Sequence, residues 1–297
     1  MSDVLDPDQR CALVARDDEP LAGTAPEAPW WVLVEDPGPW GRDALADGGL
    51  PERVVAHLVR QTEAHGVRYQ AVRRPDRTRK ARRAVYLANV RAGWLARLDL
   101  PVEQLVDLDL AVVTADRAPA GATEVTDPLV AVCTHSRRDA CCALWGRPMV
   151  ASLARRAPDV VWETSHTSGH RFAPSILAFP TGGVYGFVDD PEALLDDLLD
   201  GRLHLAHYRG DPALSRPAQA AEVTVRRAHD LTDPAAVRVV SSRHDGATAT
   251  VVVTSPAGRE VVVLDRVELP PAMTSCGGDP KPRATWRVRS VGGDTPG

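Results

Sequence analysis

The chain has 297 residues, 44% of them hydrophobic and 25% charged, and a net charge of −5. This is an ordinary soluble composition with enough apolar material for a buried core, so disulfide staples are not needed, and the acidic balance argues against a nucleic-acid partner. No apolar run reaches the roughly 20 residues of a membrane span, and the acidic start MSDVLDPDQRCALVARDDEP lacks a signal-peptide pattern, so the expected location is the cytoplasm.

Residues 1–28 are rich in Asp, Pro and Ala and read as a wrapping or trailing segment. WWVLVE (Trp30–Glu35) has the length and apolar character of a buried strand, and the Pro/Gly-punctuated loop DPGPWGRD follows. Val54, Val55, Leu58 and Val59 fall at helical spacing, with Gly66 as the stop. RYQAV and AVYLANV read as strands. PVEQLVDLDL reads as a short helix opened by Pro101, whose missing N–H costs nothing there. The second half repeats this grammar: strand PLVAVC (Pro128–Cys133), loop THSRRDACC, helix Cys142–Arg156, strand VVWET, loop HTSGH, a hairpin of ILAFP and GVYGFV, and a helix from Pro191 that stops before Gly201. Beyond Pro212 a polar helix, ALSRPAQAAEVTVRRAHDLTD, precedes VRVVSSRH, TATVVVTS, REVVVLDRVEL and TWRVRSV. Separated by Gly-containing turns, these form an antiparallel sheet.

Two short matches align the halves. Gly41-Arg42-Asp43-Ala44 lies against Arg137-Arg138-Asp139-Ala140, and Leu100-Pro101-Val102-Glu103 against Asp190-Pro191-Glu192-Ala193. The expected fold is therefore α/β, with two tandem thioredoxin-like β–α–β–β–α units over residues 1–120 and 121–297, the second carrying the C-terminal antiparallel extension. In this alignment Pro37 and Ala46 of the first unit stand where the second has Cys133 and Cys142, so the first keeps a scaffold without ligands.

The five cysteines are Cys11, Cys133, Cys141, Cys142 and Cys276. An odd number argues against a disulfide framework, and three within ten residues ask for a metal or redox explanation. Cys133 and Cys142 (C-x8-C) precede His166 and His170 (H-x3-H), and all four sit on or beside loops that follow strands, where α/β sites form. One cysteine alone is commonly a small buried hydrophobe, and one histidine an ordinary polar residue. Two pairs on adjacent loops point instead to thiolate–imidazole ligation, suited to zinc or an iron–sulfur cluster. The C-x8-C spacing is wide for a zinc knuckle. A Rieske pattern fails, because Cys133-Thr134-His135 has no counterpart after Cys142.

The stretch CTHSRRDACCALWGRPM…VWETSHTSGHRFAPSILAFPTGGVYGFV resembles the sucrase/ferredoxin-like proteins, with support from PLAGTAPEAPWWVLVEDPGPWGRDAL and CGGDPKPRATWRV. The resemblance covers most of the chain and rests on C-x-H-x2-R-D-x2-C followed by H-x-x-G-H-[KR]-F-A. It implies a thioredoxin-like ferredoxin whose [2Fe–2S] cluster is held, as in eukaryotic relatives of the actin-patch-distribution type, by Cys133, Cys142, His166 and His170. Many thioredoxin-like ferredoxins have C-x3-C where this chain has H-x3-H. Cys141 falls at a variable position. The expected role is one-electron transfer, coupled to a proton through the imidazoles, with a separate reductase or acceptor protein as partner, because no dinucleotide or nucleotide loop is present.

Two other readings use the same loops: a zinc-stabilised interaction module, and a thiol enzyme with Cys141 or Cys142 as nucleophile and His135 as base. Glycosidase activity, suggested by the word sucrase, finds no motif singling out a carboxylate pair from residues such as Glu163 and Asp189. Gly169 should let the loop turn between the two histidines. Arg138–Asp139 reads as structural because Arg42–Asp43 repeats it. Trp145 and Trp162 read as core, and His204 and His207 as a helix surface. The basic run Arg73–Arg83 is a solvated loop or a dock for an acidic partner or anion. Cys11 and Cys276 lie outside the motif.

Overall fold

The computed structural model describes residues 10–78 and 80–293. In chain order its helices and strands are α1 (Cys11–Asp18), β1 (Trp30–Glu35), α2 (Glu52–His65), β2 (Arg68–Arg73), β3 (Arg82–Asn89), β4 (Trp94–Pro101), β5 (Thr123–Glu124), β6 (Leu129–Cys133), α3 (Ala140–Arg156), β7 (Val161–Thr164), β8 (Ile176–Phe179), β9 (Gly183–Tyr185), α4 (Pro191–Leu199), β10 (Tyr208–Gly210), α5 (Arg216–His229), β11 (Arg238–His244), β12 (Thr248–Ser255), β13 (Gly258–Met273) and β14 (Pro280–Gly293). They fall into two compact units. One comprises Ala28–Thr167 and Pro174–Gly182; the other comprises the chain up to Glu27, Ser168–Ala173 and the chain from Gly183 onward.

In the first unit the strand order is β8-β6-β7-β2-β1-β3-β4-β5. β1 lies parallel to β2 and antiparallel to β3. β6 repeats this, parallel to β7 and antiparallel to β8. In each triple a helix, α2 or α3, forms the crossover that a parallel pair requires. The triples join through β2 and β7, which pair antiparallel with Val72 opposite Thr164 and Arg73 opposite Glu163. Like edges meeting antiparallel relate the triples by a local twofold. Under the first triple, Val54 and Leu58 of α2 pack on Val32, Val34, Val85 and Leu87. Gly66 ends α2 in the left-handed conformation at φ 64°, as its position in the sequence suggests.

β4 is a strand that apolar runs do not announce. WLARLDLP carries Arg97 and Asp99 on a partly exposed stretch, yet it pairs with β3 along its whole length, from Asn89–Trp94 to Arg82–Pro101. The turn following Pro101 is 3₁₀ rather than α-helical.

In the second unit β11-β12-β13-β14 form an antiparallel meander, as the sequence predicts. Ala218, Ala221 and Val225 of α5 pack on Val251, Val253, Val262 and Leu264 of that sheet. α1 was hidden in the acidic leading segment. Ala15 packs against Phe172 and Phe187, and Glu19 at its end holds Arg171 at 2.7 Å and Arg283 at 3.2 Å. Among the described residues no helix is long and apolar enough to cross a membrane.

Candidate metal centre

Cys133 is the last residue of β6, fixed by its N–H donating to Ser175 O at 2.9 Å. The chain then turns, and Asp139 caps α3 by accepting from the Cys141 N–H at 2.9 Å. That cap sets Cys142 in the first helical turn, where the N–H groups favour negative charge. On the parallel neighbour, Thr164 lies opposite Cys133. His166 follows two residues later. Both sulfurs and a ring nitrogen of His166 lie within 4.8 Å of one another. The two thiols are buried and His166 is half-buried.

His170, four residues on, opens the 3₁₀ turn His170–Phe172 in the other compact unit. Gly169 before it has φ 72°, and a Cβ there would meet the Phe172 ring at 2.6 Å, so the tight turn requires glycine. Arg171 to Glu19, and Arg209 donating to Ser168 O at 3.2 Å, brace this turn within its unit.

The thiols are electrostatically unequal. The Cys142 thiol donates to Cys133, which, with His166 beside it, holds Cys133 well below the usual thiol range despite burial. Donation and burial push Cys142 far up. A cation is bound by thiolate rather than thiol, so loading this pair releases protons.

His135 ties the site together. The His166 N–H donates to its Nδ1 at 3.1 Å, so Nε2 carries the proton and donates to Gly41 O at 2.6 Å. Burial lowers the His135 pKa, in keeping with a neutral ring. Beside it, the Thr134 hydroxyl donates to Glu163, whose carboxylate holds Arg73 at 2.6 Å, both side chains being nearly buried. Gly146 on α3 faces the Cys133 carbonyl, where a Cβ would stand 2.1 Å from the oxygen. The C-x-H motif flags His135 in sequence, whereas Gly146 is flagged only as a helical glycine.

Asp43 accepts from the N–H groups of Leu45 and Ala46 at 2.9 and 3.0 Å, the capping task Asp139 performs in the second triple. The repeated Arg-Asp is thus a turn-forming element. Trp162 is core, edge-on to Tyr86 at 5.6 Å. His204 and His207 differ from expectation. His204 precedes and His207 ends the 3₁₀ turn Leu205–His207; the two rings stack at 5.4 Å and bind Asp197 and Asp189 at 2.8 and 2.7 Å. Cys11 and Cys276 bring their sulfurs to 3.6 Å. Within the basic run, Arg79 lies outside the described residues.

Arg42, Asp43, Tyr69, Arg138 and His166 help to line a cavity of about 300 Å³ that reaches the site. A family model described as sucrase/ferredoxin-like matches residues 21–210, a span that holds both strand triples and all four candidate ligands. No curated protein and no solved structure matches the chain.

Proposed function

The chain belongs to the sucrase/ferredoxin-like family, and we propose that it is an electron-transfer protein holding a [2Fe–2S] cluster on Cys133, Cys142, His166 and His170. The observation that carries this reading is the convergence of two buried thiols and an imidazole within 4.8 Å. Soft sulfur with borderline nitrogen is the donor chemistry of iron–sulfur and zinc sites, and it suits such a group.

A bound cluster supplies one-electron storage; the chain supplies the rest. Cys133 and Cys142 would hold the group as thiolates, their protons being released on loading. His135 orients the His166 segment, and Gly146 lets α3 close over Cys133 and keep water out. Imidazoles in place of two thiolates remove two negative charges, which raises the reduction potential above that of a four-cysteine ferredoxin. Each imidazole keeps a second nitrogen that holds or releases a proton, so the potential should fall as pH rises. A potential that stays flat from mildly acidic to mildly alkaline pH removes the proton from this reading. The cavity beside His166, with Arg42 and Arg138 on its wall, suits an acidic patch on a separate redox partner.

In this reading each strand triple is the core of a thioredoxin-like unit, the repeats divide near residue 120, and the first is the scaffold that lacks ligands. The reducing cytoplasm is the compartment proposed, where thiols stay available for metal.

Anaerobic purification followed by a visible spectrum and iron, sulfide and zinc analysis tests the assignment. About two irons and two sulfides per chain, with a red-brown colour, supports it. A colourless chain holding one zinc replaces it with the structural-module reading.

A further inference from the structure

We propose that a second cavity of the same compact unit binds a small phosphate-bearing molecule. It has a volume of about 320 Å³ and is lined by Arg73, Arg77, Arg137, Arg147, Trp40 and His135, with Pro37, Pro39 and three further small residues completing the wall. No carboxylate is among its lining residues, although the chain as a whole carries a net charge of −5.

The four guanidinium groups play different parts. Arg73 is committed to Glu163 at 2.6 Å and lies over the Trp40 ring at 4.1 Å, so it is wall. Arg77 is more than half exposed and 3.9 Å from the same carboxylate. Arg137 and Arg147 are exposed, and Arg147 reaches the Ser136 hydroxyl at 3.4 Å. One carboxylate behind the wall therefore offsets one of four positive charges. The remaining positive charge suits a dianion better than a single carboxylate, and guanidinium forks match phosphate oxygens. A bare phosphate leaves most of this volume empty. The apolar side formed by Pro37, Pro39 and Trp40 accommodates an organic group attached to it.

The position follows from the local twofold. Pro37–Trp40 follow β1, and Thr134–Arg137 follow β6. These are corresponding loops at the carboxyl ends of the two parallel pairs, the crevice in which α/β sheets take ligands. The loop beside Cys133 in one triple and its counterpart in the other both line this cavity. His135 is shared by the cavity and the metal centre, but anion binding itself does not require the metal.

Calorimetric titration of the purified full-length chain with phenyl phosphate, at low and moderate salt, tests the site. One saturable event per chain is expected, competed by inorganic phosphate. Arg137→Ala and Arg147→Ala should each weaken it about tenfold, as the loss of a charged hydrogen bond implies. Both side chains are exposed, so circular dichroism and the unfolding midpoint should not change. Arg117→Ala, an exposed arginine away from the cavity, should leave the affinity as it was. The absence of saturable heat overturns the proposal, as does equal weakening by all three substitutions. Binding of a polyglutamate peptide but not of phenyl phosphate also overturns it and assigns the surface to a protein partner. Metal analysis of the same sample keeps the two assignments separate: a colourless chain that binds phenyl phosphate refutes the cluster and leaves this site standing.

Discussion

His135 receives the backbone N–H of His166 on Nδ1 at 3.1 Å, and its other nitrogen donates to Gly41 O at 2.6 Å. One neutral imidazole thus pins a candidate ligand segment to a loop that lies 94 positions before His135 in the chain. His135→Ala removes both of these part-buried hydrogen bonds, which should cost about 2 kcal/mol and lower the metal content per chain. Denaturant midpoints and metal analysis on one preparation check both. Full metal content in the variant would show that His166 needs no such tether.

Gly146 is the point where α3 touches the end of β6. Gly146→Ala drives a methyl into the Cys133 carbonyl, 2.1 Å from the ideal Cβ position. The helix must shift, and the expected loss is about 3 kcal/mol together with impaired metal loading. Leu144→Ala, on the exposed side of the same helix, is the control and should stay within about 0.5 kcal/mol. Equal midpoints for the two variants would rule out close packing here.

Glu222 is buried, and its pKa is raised to about 7: burial outweighs the adjacent Arg226 and the Tyr208 hydroxyl. The folded chain therefore binds a proton that the unfolded chain has released above the ordinary carboxylate pKa of 4.5. This contribution is fully present below that value and is lost as pH rises toward 7, amounting to about 3 kcal/mol. Glu222→Gln should flatten the stability profile across this window. An unchanged slope would place the titration elsewhere.

Cys11 and Cys276 are both in the second compact unit, with sulfurs 3.6 Å apart. Hydrogen peroxide should oxidise the half-buried Cys276 to a sulfenic acid with release of water. The Cys11 thiol then displaces a second water to close the disulfide. Peptide mapping should find the linked pair after peroxide, lose it after dithiothreitol, and miss it in Cys276→Ser. Failure to find the link in the wild-type chain would show that α1 holds its sulfur out of reach.

Apolar runs announce β1, β2, β3, β6 and β7, because strands buried between helices and neighbours need little polar alternation. β4 does not announce itself, since Arg97 and Asp99 answer each other across its partly exposed face at 2.8 Å. α1 is equally quiet: its burial rests on Cys11, Ala12 and Ala15, and its acidic end is matched by arginines far along the chain. At the site, the convergence of Cys133, Cys142 and His166 is legible in the spacing of the cysteines and the first histidine. The bridge from His135 to Gly41 and the Arg73–Glu163 pair were not, because long-range register creates them and no local spacing encodes it.

The β2–β7 seam carries more than its two register pairs. Ser165 N–H donates to Ala71 O at 2.8 Å, the Ser165 hydroxyl accepts from Ala71 N–H at 3.1 Å, and the Gln70 amide reaches Ser165 O at 2.6 Å. Each triple thereby hides the other's open strand edge, the surface through which sheets otherwise propagate into aggregates. A fragment ending between the triples would expose that edge along β2, while the complementary fragment would expose β7. Covering these edges is thus a task the two triples share, and a gene encoding either half alone would have to supply a substitute cover.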